Sequence, residues 1–460
     1  MSSDTDLASW LRRWLPRNAG RAARFGELPP GIAAALPAGL AVDAGDGEPG
    51  APVEVAFVAF TKDAADAEGL DALLPRVAAR LASGGRLFLL RDPPTGVDEA
   101  FDRSERALLE AGFVVRPGSI AEEIGGLAAD HDGYTIRPYR PGDEREILEL
   151  FRRSFHVERA LAHWSWKYES NPEGARHVSL ARDPSGRLVG QYCAYPVRLH
   201  RDGRMHRVHQ VGDTMTAPEA RAVGRGPTSI LARAARHFYA TFCRGSVLFN
   251  YGFNTGNIQR FSIRFVGATK VEEVPFRVRD LDRWPLRPRR RLFGGFRPVL
   301  SPAPAELDAL WRRSHREYGA LVVRDAEYLR WRYLDCPDQD YTLLGIERRR
   351  RLAAWGVFSR REDRLVWGDL LLDPAEPGAI EPLLAAALER LGSSGPKLNS
   401  IVGWFPPRPE WLDRRLEASG FERRPEPQQL ALMVVPFDDP LAPEHCGREL
   451  FYTYGDSDLF

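Results

Sequence analysis

Lysine is scarce in this chain of 460 residues; nearly all of the basic charge is arginine, and carboxylates balance it to a net charge of +1. That balance excludes a broad positive surface, and with it a nucleic-acid partner held by bulk charge. Abundant arginine, alanine, glycine and proline read instead as a coding bias. Cysteine is also rare. Cys193, Cys243, Cys336 and Cys446 lie far apart without paired metal-ligand spacing, so reduced thiols are expected rather than disulfides or a zinc module. His156, His163 and His209 stand singly, and no metal is expected. No apolar run approaches the roughly 18 to 20 residues of a membrane span. Asp4 and Asp6 precede the amphipathic Trp10-Leu-Arg-Arg-Trp-Leu-Pro, which argues against a signal peptide. A cytoplasmic protein is expected, with peripheral membrane contact through the first residues as the lesser alternative.

Hydrophobic content of 43% and charged content of 28% describe a globular chain, and the length predicts about two to four domains. Residues 1–131 read as an α/β module. Val53-Glu-Val-Ala-Phe-Val-Ala-Phe predicts a strand, Ala67 to Ala82 a helix stopped by Gly84-Gly85, Arg86-Leu-Phe-Leu-Leu a second strand, Ala100 to Ala111 a helix, and Phe113-Val-Val a third strand. This alternation argues for a parallel sheet covered by helices. Leu81-Ala-Ser-Gly-Gly-Arg-Leu-Phe-Leu-Leu and Leu108-Leu-Glu-Ala-Gly-Phe resemble the later half of a methyltransferase-type Rossmann domain. The earlier half, with its glycine loop, is missing, so a docking or scaffold module that contacts a protein partner is expected rather than a working methyltransferase.

The most informative stretch runs from Val211 to Gly226, Val-Gly-Asp-Thr-Met-Thr-Ala-Pro-Glu-Ala-Arg-Ala-Val-Gly-Arg-Gly, and on into a helix near Pro227. Gly224 and Gly226 lack a Cβ, so main-chain N–H groups around them can converge on one anion, and the helix adds its positive end. A diphosphate fits such a turn. The segment resembles the coenzyme-A motif of the GCN5-related N-acetyltransferases (GNAT), Arg/Gln-x-x-Gly-x-Gly/Ala between a fourth strand and a third helix. The flanks are similar too: Tyr134-Thr-Ile-Arg-Pro-Tyr-Arg-Pro-Gly-Asp and its helix upstream, Val247-Leu-Phe-Asn-Tyr-Gly-Phe-Asn as a fifth strand downstream, then a helix ending near Val266-Gly267.

The resemblance implies acetyl-CoA as cosubstrate, cradled by Arg221, Ala222, Val223, Gly224, Arg225 and Gly226, with the hydroxyls of Thr228 or Ser229 as donors. Asp213, with Glu219 at the strand exit, is the expected general base, though Asp213 can equally satisfy backbone groups in the sheet. A bulge in the fourth strand would aim an N–H near Met215 at the thioester carbonyl. The family's usual tyrosine is missing from the helix after the fifth strand, which leaves Tyr251, Ser262 or water to protonate the thiolate. Asn254 and Asn257 match the junction that contacts the pantetheine arm; an ordinary helix N-cap is the alternative.

A repeat extends the pattern. Trp166-Lys-Tyr-Glu-Ser-Asn-Pro172 matches Trp331-Arg-Tyr-Leu-Asp-Cys-Pro337, and Val211-Gly-Asp213 matches Trp367-Gly-Asp369. The fold class is thus expected to be α/β (α+β): the partial Rossmann-like module, then two tandem GNAT folds at 132–280 and 301–435. A basic linker rich in Pro and Gly would fill 281–300, and 436–460 would be an aromatic packing tail. The second copy is degenerate, because Leu372-Asp-Pro-Ala-Glu-Pro-Gly-Ala lacks the arginine and paired glycines. The implied activity is acyl transfer from acetyl-CoA to a primary amine of a small-molecule acceptor, an amino sugar or surface-polysaccharide precursor by association. A Fem-type aminoacyl transferase and a non-enzymatic acyl-CoA-binding scaffold remain the alternatives.

Overall fold

The computed structural model describes the chain except residues 1–2, 18, 26–27, 29–35, 37–39, 45–50, 62–66, 93–96, 121–125, 175, 287–294 and 394. The arginine-rich part of the expected linker falls outside the described residues. The chain divides into two compact units: Met1–Glu158 with Val178–Cys193 and Asp213–Phe242, and Arg159–His177 with Ala194–Gly212 and Cys243–Phe460. The division passes through two long strands, Leu188–Arg201 and Arg204–Thr216.

In the first unit, a six-stranded sheet runs in the order Ala41–Ala44, Arg21–Phe25, Val53–Thr61, Leu81–Asp92, Gly126–His131, Phe113–Val115. The first four strands are parallel, and Gly126–His131 pairs antiparallel with both of its neighbours. Val53, Val55, Ala56, Phe57 and Val58 are all buried, as a strand covered on both faces requires. The helix Ala67–Arg80 stops before the glycine pair, because the following strand begins at Leu81. Three strands were not read from periodicity: Arg21–Phe25, Ala41–Ala44 and Gly126–His131.

The same unit holds Thr135–Pro138, paired antiparallel with Val178–Arg182, which pairs in turn with residues 188–193. Between these strands in sequence lies the helix Glu144–Phe155. Its buried Ile147, Leu150 and Phe151 repeat at helical spacing, acids occupy its first turn, and Arg152 and Arg153 its last. Each buried side chain contributes about 1.5–3 kcal/mol.

In the second unit, Phe249–Asn254 lies parallel to Arg204–Thr216 over only two residue pairs, His209 with Asn250 and Gln210 with Tyr251. Its other edge is covered by Ala431–Pro436, which also pairs with Thr269–Glu273. A seven-stranded sheet has the order Phe296–Leu300, Thr342–Arg348, Arg351–Arg361, Arg364–Leu372, Ser400–Trp404, Phe276–Asp280, Glu422–Arg424. Two strands thus sit far from their sequence neighbours: Phe276–Asp280 pairs with Ser400–Trp404, and Ala431–Pro436 with Phe249–Asn254. The repeated tryptophans meet directly. Trp166 and Trp331 stack at 5.7 Å between centroids, and each indole N–H donates to the other's carbonyl, at 2.5 and 2.8 Å.

Candidate acyl-coenzyme A site

The strand Arg204–Thr216 breaks its regular backbone at Asp213, whose φ of 49° lies in the left-handed region that side chains with a Cβ rarely adopt. The Asp213 carbonyl accepts from Gln191 Nε2 at 3.0 Å, so this carbonyl is held in place. A short 3₁₀ turn at Pro218–Ala220 follows, and Arg221 folds back so that its Nε donates to the Thr216 carbonyl at 3.2 Å.

Gly224 and Gly226 then take φ values of 66° and 57°. A Cβ on Gly224 would stand 2.1 Å from the Thr228 carbonyl oxygen, inside the turn. The expected helix begins at Ile230 rather than near Pro227, because Gly226–Thr228 forms a separate 3₁₀ turn first. Hydroxyls close that turn. Thr228 Oγ1 accepts from the Arg225 N–H and donates to the Arg225 carbonyl, both at 3.1 Å, and Ser229 Oγ donates to the Gly226 carbonyl at 2.7 Å. Both side chains expected as ligand donors are therefore engaged with the backbone.

The N–H groups of Gly224, Gly226, Ile230 and Leu231 have no hydrogen-bond partner in the chain among the described residues. Residues 220–230 contain Arg221 and Arg225 and no carboxylate. Unpaired amides at a helix start, a cradle that a Cβ would fill and two flanking cations fit a diphosphate. Ala222 and Val223 form the outer rim; Ala222 is exposed and Val223 half-buried. Met215 is buried at the other end. Gly190 lets the helix start come close, since a Cβ there would lie 2.7 Å from Ile230 Cγ2.

The helix Ile230–Phe242 is anchored to the N-terminal module of its own unit. Arg233, fully buried, reaches both oxygens of Asp132 at 2.7 and 3.1 Å and the Tyr134 carbonyl at 2.7 Å. Arg236 joins Glu105 to the Pro227 carbonyl, each at 2.6 Å. His237 lies between Ser179 at 2.8 Å and Glu110 at 3.2 Å. Nothing in the local periodicity of residues 1–131 revealed this attachment.

The other expected site residues divide into engaged and enclosed groups. Glu219 forms ion pairs with Arg153 at 2.6 Å and Arg187 at 3.2 Å. Its own backbone amide, then these arginines, hold its carboxyl below the usual range. In the second unit Tyr251 is buried, and desolvation pushes its hydroxyl well above the ordinary tyrosine value. Asn254 donates to Ser262 Oγ at 3.1 Å, which brings two expected residues together. Asn257 is exposed and accepts from Arg260. The helix Gly256–Phe265 takes Thr255 as its N-cap residue, so neither asparagine has that role.

Two polar clusters of the second unit escaped sequence reading. His177 Nδ1 meets His209 Nε2 at 2.9 Å, and His209 Nδ1 faces Asn250 Oδ1 at 3.1 Å and Cys243 Sγ at 3.6 Å. Burial lowers the two imidazoles to about 4 and about 3 and raises the Cys243 thiol. Buried Arg324 binds Asp369 at 2.8 Å and Asp456 at 2.5 Å, while Tyr333 donates to Asp369 at 2.7 Å. Among the described residues, no group of three or more His, Cys, Asp or Glu is placed to hold a metal ion. Among the same residues, no helix is long and apolar enough to cross a membrane.

Residues 135–260 match the family model described as the acetyltransferase (GNAT) domain. The chain carries a GNAT acetyltransferase domain. It spans both the glycine turn and the strand Phe249–Asn254, and a domain of this family draws its acyl group from acyl-coenzyme A. No curated protein matches the sequence. Among solved structures, a conserved protein of unknown function from Enterococcus faecalis V583, a probable N-acyltransferase, aligns with a TM-score of 0.50 at 13% identity, over 66% of this chain and 73% of its own. A GCN5-related N-acetyltransferase from Kribbella flavida aligns at 0.48 and 14%, over 67% and 73%. Saccharomyces cerevisiae N-myristoyltransferase with bound myristoyl-CoA aligns at 0.44 and 10%, over 66% and 82%. At 13% identity the likeness to the Enterococcus faecalis protein is one of fold, and the mixed α/β sheets belong to it.

Proposed function

We propose that the protein transfers an acetyl group from acetyl-CoA to a primary amine of a small acceptor, inside the cytoplasm. The observation that carries this reading is the turn at 221–231, where four amides are unpaired among the described residues and Arg221 and Arg225 stand without a carboxylate in the segment. Acetyl-CoA would be held there by Arg221, the backbone of residues 222–226 and the first amides of the helix, and it supplies the acyl group as a thioester. The left-handed Asp213 frees the strand to aim a main-chain N–H near Met215 at the thioester oxygen, the kind of donor that lowers an acyl-transfer barrier most.

The second copy is read as a degenerate GNAT fold without a coenzyme turn. Support comes from the reciprocal Trp166 and Trp331 hydrogen bonds and from the strands Phe276–Asp280 and Ala431–Pro436, each paired in the sheet of the other repeat. The N-terminal module is read as a Rossmann-like scaffold for the coenzyme helix, supported by the Arg233 and Arg236 anchors. Isothermal titration with acetyl-CoA tests the reading. Heat is expected for the wild type, and Gly224→Glu should weaken binding at least about tenfold, or roughly 1.4 kcal/mol. Unchanged affinity in that variant refutes the placement, and no heat for the wild type refutes the activity.

A further inference from the structure

Gln191 is a buried side chain that faces the backbone break at Asp213, and both residues belong to the first unit. It is 1% exposed, and its Nε2 donates to the Asp213 carbonyl at 3.0 Å and to Cys193 Sγ at 3.1 Å. A carbonyl can only accept, so the amide must present its nitrogen there. Its Oε1 has no partner among the described residues, although buried polar atoms ordinarily find one. The side chain thus leaves its own oxygen unpaired while it holds the Asp213 carbonyl.

Asp213, at φ 49°, has a conformation foreign to regular strands, and residues with a Cβ keep it only where their surroundings enforce it. A peptide unit is planar and trans, so the Asp213 carbonyl and the Thr214 N–H point in opposite directions within one rigid plane. A donor that grips the carbonyl therefore also sets the direction of the N–H, away from Gln191. By Ala217 the strand meets its neighbour again, where the Ala217 N–H donates to the Val189 carbonyl at 2.8 Å. Gly190, directly before Gln191, has the coenzyme helix and the same strand close by. A Cβ there would lie 2.7 Å from Ile230 Cγ2 and 3.7 Å from the Met215 carbonyl oxygen. The strand that carries Gln191 thus touches both the break and the helix that follows the glycine turn.

We propose that Gln191 is a positioning residue for acyl transfer, fixing the Asp213–Thr214 peptide so that the Thr214 N–H is the donor to the thioester oxygen. This rests on the acyl-transfer reading above, and it assigns the donor near Met215 to one particular amide. Gln191 acts through the backbone and needs no contact of its own with the acyl group.

The test uses the full chain and acetyl-CoA labelled with ¹³C at the carbonyl, read by difference infrared spectroscopy beside calorimetric affinity. A hydrogen bond to the carbonyl oxygen weakens the C=O bond, so the band of the thioester bound to wild type should lie below that of free acetyl-CoA. Gln191→Met keeps the length of the side chain but cannot donate. It should return the band at least half-way to the free position while affinity changes by no more than about threefold. Gln191→Glu is a titratable counterpart: its carboxylate cannot donate, whereas the protonated acid can. Its band should therefore move toward the wild-type position as pH falls from about 8.5 to about 5.5. A wild-type band at the free position, or a band that neither substitution moves, overturns the proposal. Affinity lost in step with the band shift overturns it too, because Gln191 would then only hold the site together. Should Gln191→Met fail to fold, the pH series of Gln191→Glu decides alone, and a band without pH dependence overturns the proposal. A wild type that binds no acetyl-CoA instead removes the acyl-transfer reading on which it rests.

Discussion

The two Gly-Asp motifs, Gly212-Asp213 and Gly368-Asp369, stand in different surroundings. In the first, Asp213 sits half-exposed at a left-handed backbone break, and the chain opens into a glycine turn with unpaired amides. In the second, a bulge between Val357 and Phe358 leaves Gly368 unopposed, and Asp369 is buried under Arg324, Tyr333 and Thr453. Its following turn carries Asp373 and Glu376, and both are paired, with Arg313 at 2.8 Å and Arg348 at 2.5 Å. The second motif's carboxylate is thus held by partners within the fold, whereas the first motif leads to a turn whose amides at Gly224 and Gly226 are unpaired among the described residues. The lesson is that polar groups which find partners within the fold are not left for a ligand.

The strongest way to break this comparison is Arg324→Ala. It would leave Asp369 and Asp456 buried without their cation, and the expected loss is about 3–5 kcal/mol, read as a lower urea midpoint. A midpoint within about 0.5 kcal/mol of wild type would show that the second motif is not the structural one. Next comes Gly368→Ala, whose Cβ cannot coexist with the Phe460 ring. Overpacking should cost about 1–3 kcal/mol by thermal denaturation.

A matched pair of turn variants sharpens the contrast further. Gly224→Ala puts a Cβ 2.1 Å from a carbonyl oxygen at a positive φ, and should weaken acetyl-CoA at least about tenfold by calorimetry. Gly378→Ala, in the second turn, meets only the Phe296 ring at 3.3 Å and should change neither affinity nor stability by more than about 0.5 kcal/mol. Equal effects of the two would erase the distinction between the turns.

The smallest effect expected is a pH dependence carried by His177 and His209. Both imidazoles are lowered in the fold, to about 4 and about 3, chiefly by burial. The unfolded chain therefore binds protons first as pH falls. Their stabilisation is complete above the unfolded value of about 6.5 and declines as pH drops toward the folded values. Urea midpoints measured from pH 7.5 to 4.5 should fall, and His209→Gln should flatten the fall.

Much of the acetyltransferase domain was legible because its signals are local. Glycines at two positive-φ positions, a helix start and an alternating strand are written within the stretch from Arg204 to Phe242. Two matching aromatic motifs were legible as well, and Trp166 and Trp331 from them stack. Hydroxyl roles were not: Thr228 and Ser229 close the turn, a choice made by backbone geometry that composition does not encode. The strand partners of Phe276–Asp280 and Ala431–Pro436 were equally hidden, since period-two alternation marks a buried face without naming its neighbour.

Sequence by itself determined many of the elements and the glycine turn with its flanking arginines, because those depend on Cβ sterics and charge within a few residues. Only the tertiary structure decided which carboxylates are buried and which are paired. Lys167 and Asp458 are separated by 291 positions, and no local preference relates them. Their meeting follows from packing of the whole chain, where burying one cation requires a carboxylate brought from far away.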